Sequence, residues 1–179
     1  MGLKKTLRLL HCSNPTIFEW SASPIVYRTS PEFQKLQELM PWYFSVKKGL
    51  YHYLNMAKGN YKTYLRNDQV RVKKYFYILR PLLAAEWILE RESAPPMRFE
   101  DLVDTKLPIV LKPVVEDLVK QKKTGFETEL MPQISELNQY FENSFQKIEE
   151  IVKTKKNPEA PWEPLEEYFL NTIIERRPL

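Results

Sequence analysis

The sequence predicts an all-α fold, a helical bundle of about seven to nine helices. Three observations carry that expectation. Only four glycines interrupt a chain rich in Leu, Lys and Glu, side chains that lose little freedom in a helix. Apolar residues recur at intervals of three and four along most of the chain, the period of a helix with one buried face. Short β-branched alternations of period two are scarce. A chain of 179 residues is long enough to hide roughly 70% of its unfolded surface in one core. The expected organisation is a helical domain over 1–156, a Pro-rich linker over 157–164, and a C-terminal helix over 165–179 that packs back.

Each element has a local reason. Leu3 to His11 is a short helix ended by Ser13-Asn14-Pro15. Asn14 caps a second helix with Pro15 in its first turn, running through Ile17, Phe18 and Trp20. Ser23 to Tyr27 is extended, because the residue before Pro24 is pushed out of the helical region. Ser30 caps a third helix whose Phe33, Leu36, Leu39 and Met40 share helical spacing, and Pro41 limits it. Ser45 caps the long helix from Val46 to Arg66. Leu50, Tyr53, Leu54, Ala57, Tyr61 and Tyr64 form its buried stripe, and Tyr51, Asn55, Lys58 and Lys62 occupy the other side.

Asn67-Asp68 is a turn, and Val70 to Glu92 is the next helix. Two helices of similar length joined by so short a turn pack antiparallel. Inside the second of them Pro81 has no amide hydrogen, so the carbonyl of Tyr77 loses its helical partner and a kink is expected there. After the loop Ser93 to Met97 come short helices at Phe99 to Val103 and Val110 to Lys123, a break at Gly125, and a long helix from Pro132 to Lys155. A last helix runs from Leu165 to Glu175. Trp20, Trp42 and Trp87 read as core anchors.

Charge is distributed unevenly about a net +4. Between Phe44 and Ala85 nine Lys or Arg stand against one acid, Asp68, whereas Glu127 to Phe169 holds ten Glu and four Lys. One basic face suggests phosphates, in a nucleotide or a nucleic acid. The acidic C-terminal helices, with Glu136, Glu142, Glu149 and Glu150, read as a solvated face. The single cysteine, Cys12, cannot form an internal disulfide and lacks partners at metal-ligand spacing, so a cytoplasmic setting is the default. The N-terminal run is broken by Arg8 and His11 and is not read as a signal peptide. No apolar stretch is long enough to span a membrane.

Four stretches stand together in a recognisable pattern: KKTLRLLHCSNPTIFEWSASPIVY (4–27), SVKKGLYHYLNMAKGNYKTYL (45–65), VKKYFYILRPLLAAEWI (72–88) and PPMRFEDLV (95–103). Together they resemble the C-terminal, helical portion of the predicted nucleotidyltransferase family of the DNA polymerase beta superfamily, also called the RNA repair pathway polymerase-beta family. The resemblance implies transfer of a nucleotide from an NTP to an RNA, protein or small-molecule acceptor. It also implies Mg2+, held by paired aspartates that follow a Gly-Ser turn on a small mixed sheet. This chain contains no Gly-Ser dipeptide, and its aspartates Asp101 and Asp104 lie three apart on an expected helix. The expectation is therefore that the catalytic sheet half is absent. Mg2+ and NTP would belong to the full-length family and not be held by this chain alone. No catalytic or metal-ligating residue is assigned, and whether the chain is an enzyme stays open.

The helical half would then bind substrate. Lys73, Tyr77 and Arg80 fall at i, i+4 and i+7 and project from one face; Lys74 adjoins them. Lys offers a point charge to a phosphate, Arg a planar fork, and Tyr a hydroxyl on a rigid stem. Tyr51, Asn55 and Lys58 share a face of the preceding helix with His52 adjacent, and complete the candidate set. A catalytic partner segment, upstream or on a separate chain, is the implied partner. The alternatives are a nucleic-acid binder acting through the basic face and a non-catalytic interaction module. The latter would self-associate through apolar surface left bare around Leu7, Leu10, Ile17 and Phe18.

Overall fold

The computed structural model describes residues 2–125 and 129–174; Glu175, the expected end of the last helix, lies outside them. Among the described residues the fold is helical throughout apart from one small antiparallel pair of strands. The elements in chain order are α1 (Leu3–His11), α2 (Pro15–Ser21), α3 (Pro31–Leu39), a 3-10 turn (Met40–Tyr43), α4 (Val46–Tyr64), β1 (Gln69–Arg71) and α5 (Val72–Arg91). After them come α6 (Phe99–Lys106), a second 3-10 turn (Ile109–Leu111), α7 (Lys112–Lys123), β2 (Leu130–Pro132), α8 (Ser135–Thr154) and α9 (Glu163–Ile174). The expected caps form: Asn14 Oδ1 accepts from Thr16 N at 3.0 Å, Ser30 Oγ from Phe33 N at 3.3 Å and Ser45 Oγ from Lys48 N at 3.2 Å. Each satisfies one of the amides that a helix start leaves unpaired.

Among the described residues two hydrophobic cores result. The larger joins α4, α5, α6, α7 and α8 around Tyr53, Tyr75, Leu79, Leu82, Leu102 and Phe141. The smaller joins α1, α2, α3, the first 3-10 turn and α9 around Leu7, Leu10, Ile17, Phe18, Leu36 and Leu165. Phe44 packs against both and ties them together. The expectation of bare apolar surface at Leu7, Leu10, Ile17 and Phe18 is thus corrected: all four are buried, with α3 and α9 supplying the cover.

Other departures have equally physical causes. Val70, expected in a helix, pairs instead with Met131 in the β1–β2 ladder, flanked by Gln69 with Pro132 and Arg71 with Leu130. The partner is some sixty residues away, which local periodicity cannot register. Trp42 is 83% exposed, because the tight 3-10 turn directs its neighbours Met40 and Tyr43 into the core and leaves Trp42 outside. Trp20 is exposed because Ile17 and Phe18 take the inward positions of α2. Trp87 is half-buried, its indole N–H donating to Ser93 Oγ at 3.3 Å. The Pro-rich stretch is docked at several points. His11 Nε2 donates to Ala160 O at 2.9 Å, Tyr43 Oη donates to Pro161 O at 2.9 Å, and Trp162 stacks on His11 at 3.6 Å.

Helix α5 runs through Pro81 without a break. The carbonyl that Pro81 cannot serve is satisfied from the neighbouring helix: Asn60 Nδ2 donates to Tyr77 O at 2.9 Å. Asn60→Ala should therefore cost about 1 kcal/mol, and distinctly less in a Pro81→Ala background, where the restored amide of residue 81 takes over. Urea denaturation of the four proteins in a double-mutant cycle measures that coupling; additive costs would show that the Asn60 bond is incidental.

Candidate functional site

The site is built on the antiparallel α4–α5 pair. Gly49 allows the close approach at one end, since a Cβ there would stand 3.0 Å from Phe44 Cζ and 3.1 Å from Ile88 Cδ1. Asn60 and Tyr77 join the pair at the other end. On α5, the stripe of Lys73, Tyr77 and Arg80 lies along the boundary of the buried face, with Tyr77 45% exposed and the two cations half-buried. Lys73 makes no hydrogen bond or ion pair among the described residues. Lys74 Nζ lies 3.6 Å from the centroid of the Tyr64 ring and 4.7 Å from that of Tyr77. That geometry is a cation–π contact.

Arg80 is engaged. Its Nη2 lies 3.0 Å from Glu19 Oε1, and Tyr53 Oη donates to the same oxygen at 2.7 Å. Helices α2, α4 and α5 meet at this carboxylate. Burial pushes the Tyr53 hydroxyl well above its ordinary pKa, the hydrogen bond to Glu19 adding to the effect, so it stays a donor. His52 packs edge-on against Tyr53 at 5.0 Å. Its pKa is lowered by burial, with Glu19 pulling the other way, so its ring is largely neutral at neutral pH.

The remaining candidates stand apart. Tyr51 and Asn55 are exposed on the outer side of α4. Lys58 reaches α8 and pairs with Glu149, while Tyr61 Oη donates to Glu142 Oε1 at 2.7 Å. Burial foremost, and that bond next, push the Tyr61 pKa up to about 12. Glu142 and Glu149 keep the solvent exposure expected of them and also partner the basic helix α4. Opposite charges segregated in sequence meet in the fold. Sequence reasoning missed Glu19 and assigned Tyr53 to the core alone. The available signal was a lone carboxylate between Phe18 and Trp20 on a helix with no basic residue.

Among the described residues no three His, Cys, Asp or Glu stand close enough to hold a metal ion. Beside Arg80 the carboxylate is Glu19, which Tyr53 also shares. Asp104 on α6 lies 4.0 Å from Lys112 Nζ. A magnesium ion asks for several oxygen ligands in octahedral array, so this donor set does not fit one.

Residues 2–171 match the RNA repair pathway DNA polymerase beta family, RlaP. The chain belongs to that family. A curated relative of this RlaP chain is the uncharacterized protein YcgL of Bacillus subtilis (strain 168). It is 38% identical over 176 residues, which are 97% of this chain and 68% of that protein. No solved structure matches. Polymerase-beta families in general use Mg2+ and an NTP. No helix among the described residues of this RlaP member is long and apolar enough to cross a membrane.

Proposed function

We propose that this chain is the helical, substrate-side portion of a polymerase-beta-type nucleotidyltransferase. In this reading it binds the polyphosphate of an NTP along α5, and a further segment or chain supplies the metal-holding carboxylates. One observation carries the reading. Lys73, Tyr77 and Arg80 line a single partly exposed edge of the α4–α5 seam, with Lys73 unpaired among the described residues and most of Arg80's donors uncommitted. Seven residues of helix separate the two cations by about 10 Å along the axis, a span suited to a chain of phosphates. Arg80 uses Nη2 toward Glu19, and its planar fork keeps further N–H groups for an anion. Lys74 and His52 flank the edge.

The test is calorimetric titration of the 179-residue chain with ATP and magnesium. Lys73→Glu combined with Arg80→Glu should weaken binding more than tenfold while far-UV dichroism stays unchanged. Alanine at Tyr51, Asn55 and Lys58 shows whether the surface extends round α4. Equal affinity of the double variant and the unmodified chain would remove the reading.

A further inference from the structure

The basic edge contains a carboxylate, which a site made only for phosphate does not require. Glu19 repels an anion and takes one donor of Arg80. Its place at the meeting point of α2, α4 and α5 suits a ligand group that a carboxylate recognises, namely a neutral donor. The carboxylate is also asymmetric. Oε1 accepts from both Tyr53 Oη and Arg80 Nη2, whereas Oε2 accepts no hydrogen bond among the described residues. The Glu19 side chain is 24% exposed, so a ligand can reach it.

We propose that Glu19 is a specificity residue that accepts a hydrogen bond from a sugar hydroxyl, so that the α5 edge takes a ribonucleotide. The inference rests on the phosphate-binding reading of α5 given above. The sugar then lies at the α2 end of the α5 edge and the phosphates extend toward Lys73. Tyr53 and Arg80 neutralise and orient the carboxylate, leaving its second oxygen as the acceptor. An acidic side chain reading a ribose diol is a general solution in nucleotide sites, and a charge-assisted bond to a hydroxyl contributes enough to discriminate.

The 179-residue chain is titrated with three magnesium complexes: ATP, 2′,3′-dideoxyATP and inorganic tripolyphosphate. The unmodified chain should bind ATP about tenfold more tightly than the dideoxy compound. Glu19→Gln keeps an oxygen for Tyr53 and Arg80 but loses the charged acceptor. It should erase most of that preference and leave tripolyphosphate binding unchanged or stronger. Glu19→Asp, which keeps the charge on a shorter stem, should likewise lose the preference. Two results overturn the inference while the phosphate reading survives: equal binding of ATP and the dideoxy compound by the unmodified chain, or a parallel loss of ATP and tripolyphosphate in Glu19→Gln. If Lys73→Glu with Arg80→Glu leaves tripolyphosphate binding intact, the underlying reading falls and this inference with it.

Discussion

Phe141→Ala lowers the unfolding free energy by about 3–5 kcal/mol, the range for removing a fully buried aromatic ring. Phe141 is fully buried and is the hub of the main core. Its ring centroid lies 6.0 Å from that of Tyr61, 6.3 Å from Tyr75, 6.1 Å from Tyr140 and 6.5 Å from Phe145. One side chain of α8 therefore contacts rings on α4, on α5 and on its own helix. Three helices would have to close in to fill the gap, and three of the neighbours, Tyr61, Tyr75 and Tyr140, are held by their own hydroxyls. Tyr75 Oη accepts from Ile134 N at 2.8 Å, and Tyr61 donates to Glu142. The cavity consequently stays open, and its cost adds to the lost transfer free energy. Urea denaturation reads the effect as a lower midpoint at unchanged slope. A loss below about 1 kcal/mol would mean that α8 collapses freely onto the site.

Glu86→Ala should cost about 2–4 kcal/mol, through two buried hydroxyls stripped of their acceptor. Glu86 is a carboxylate of α5 largely removed from water, and it receives Tyr140 Oη at Oε2 and Ser144 Oγ at Oε1, each at 2.7 Å. It pins α8 to α5 on a polar contact within an apolar seam. Glu86→Gln preserves the shape and an acceptor oxygen, and its amide can donate to a hydroxyl oxygen, so its cost is small.

The two variants also separate in pH. Burial foremost pushes the Glu86 pKa above 4.5, while the Tyr140 and Ser144 hydroxyls pull it back. A carboxyl with a raised folded pKa holds its proton better in the native state. Its contribution is greatest below the unfolded value and declines as pH rises through the folded one. Denaturation from about pH 4 to pH 7 should therefore show the unmodified protein losing stability relative to Glu86→Gln as pH rises. An unchanging difference would show that Glu86 is ionised equally in both states.

Much of the fold was legible because its determinants are local. Asn14, Ser30 and Ser45 stand where helices begin, and the apolar spacings of α4, α5 and α8 name their buried faces without reference to any partner. The family, too, was visible in strings of the chain. On α5 the same reasoning placed Lys73, Tyr77 and Arg80 on one edge, since their offsets fix their common direction. The exposed Trp42 was not legible, because a tight turn and not a helical period decides which of its side chains face inward.

What only the tertiary structure decided is which groups meet. A helical period says that Tyr53 points inward but not that α2 brings Glu19 to its hydroxyl. It says that Pro81 abandons a carbonyl but not that Asn60 of another helix serves it. Nor could composition reveal that Val70 would find Met131, or that Lys58 and Tyr61 would find Glu149 and Glu142 on α8. Periodicity and capping arise from bonds spanning four residues or fewer, so the chain carries them wherever it goes. Partnerships across the fold depend on how whole helices dock, and that is settled by the burial of every apolar face together.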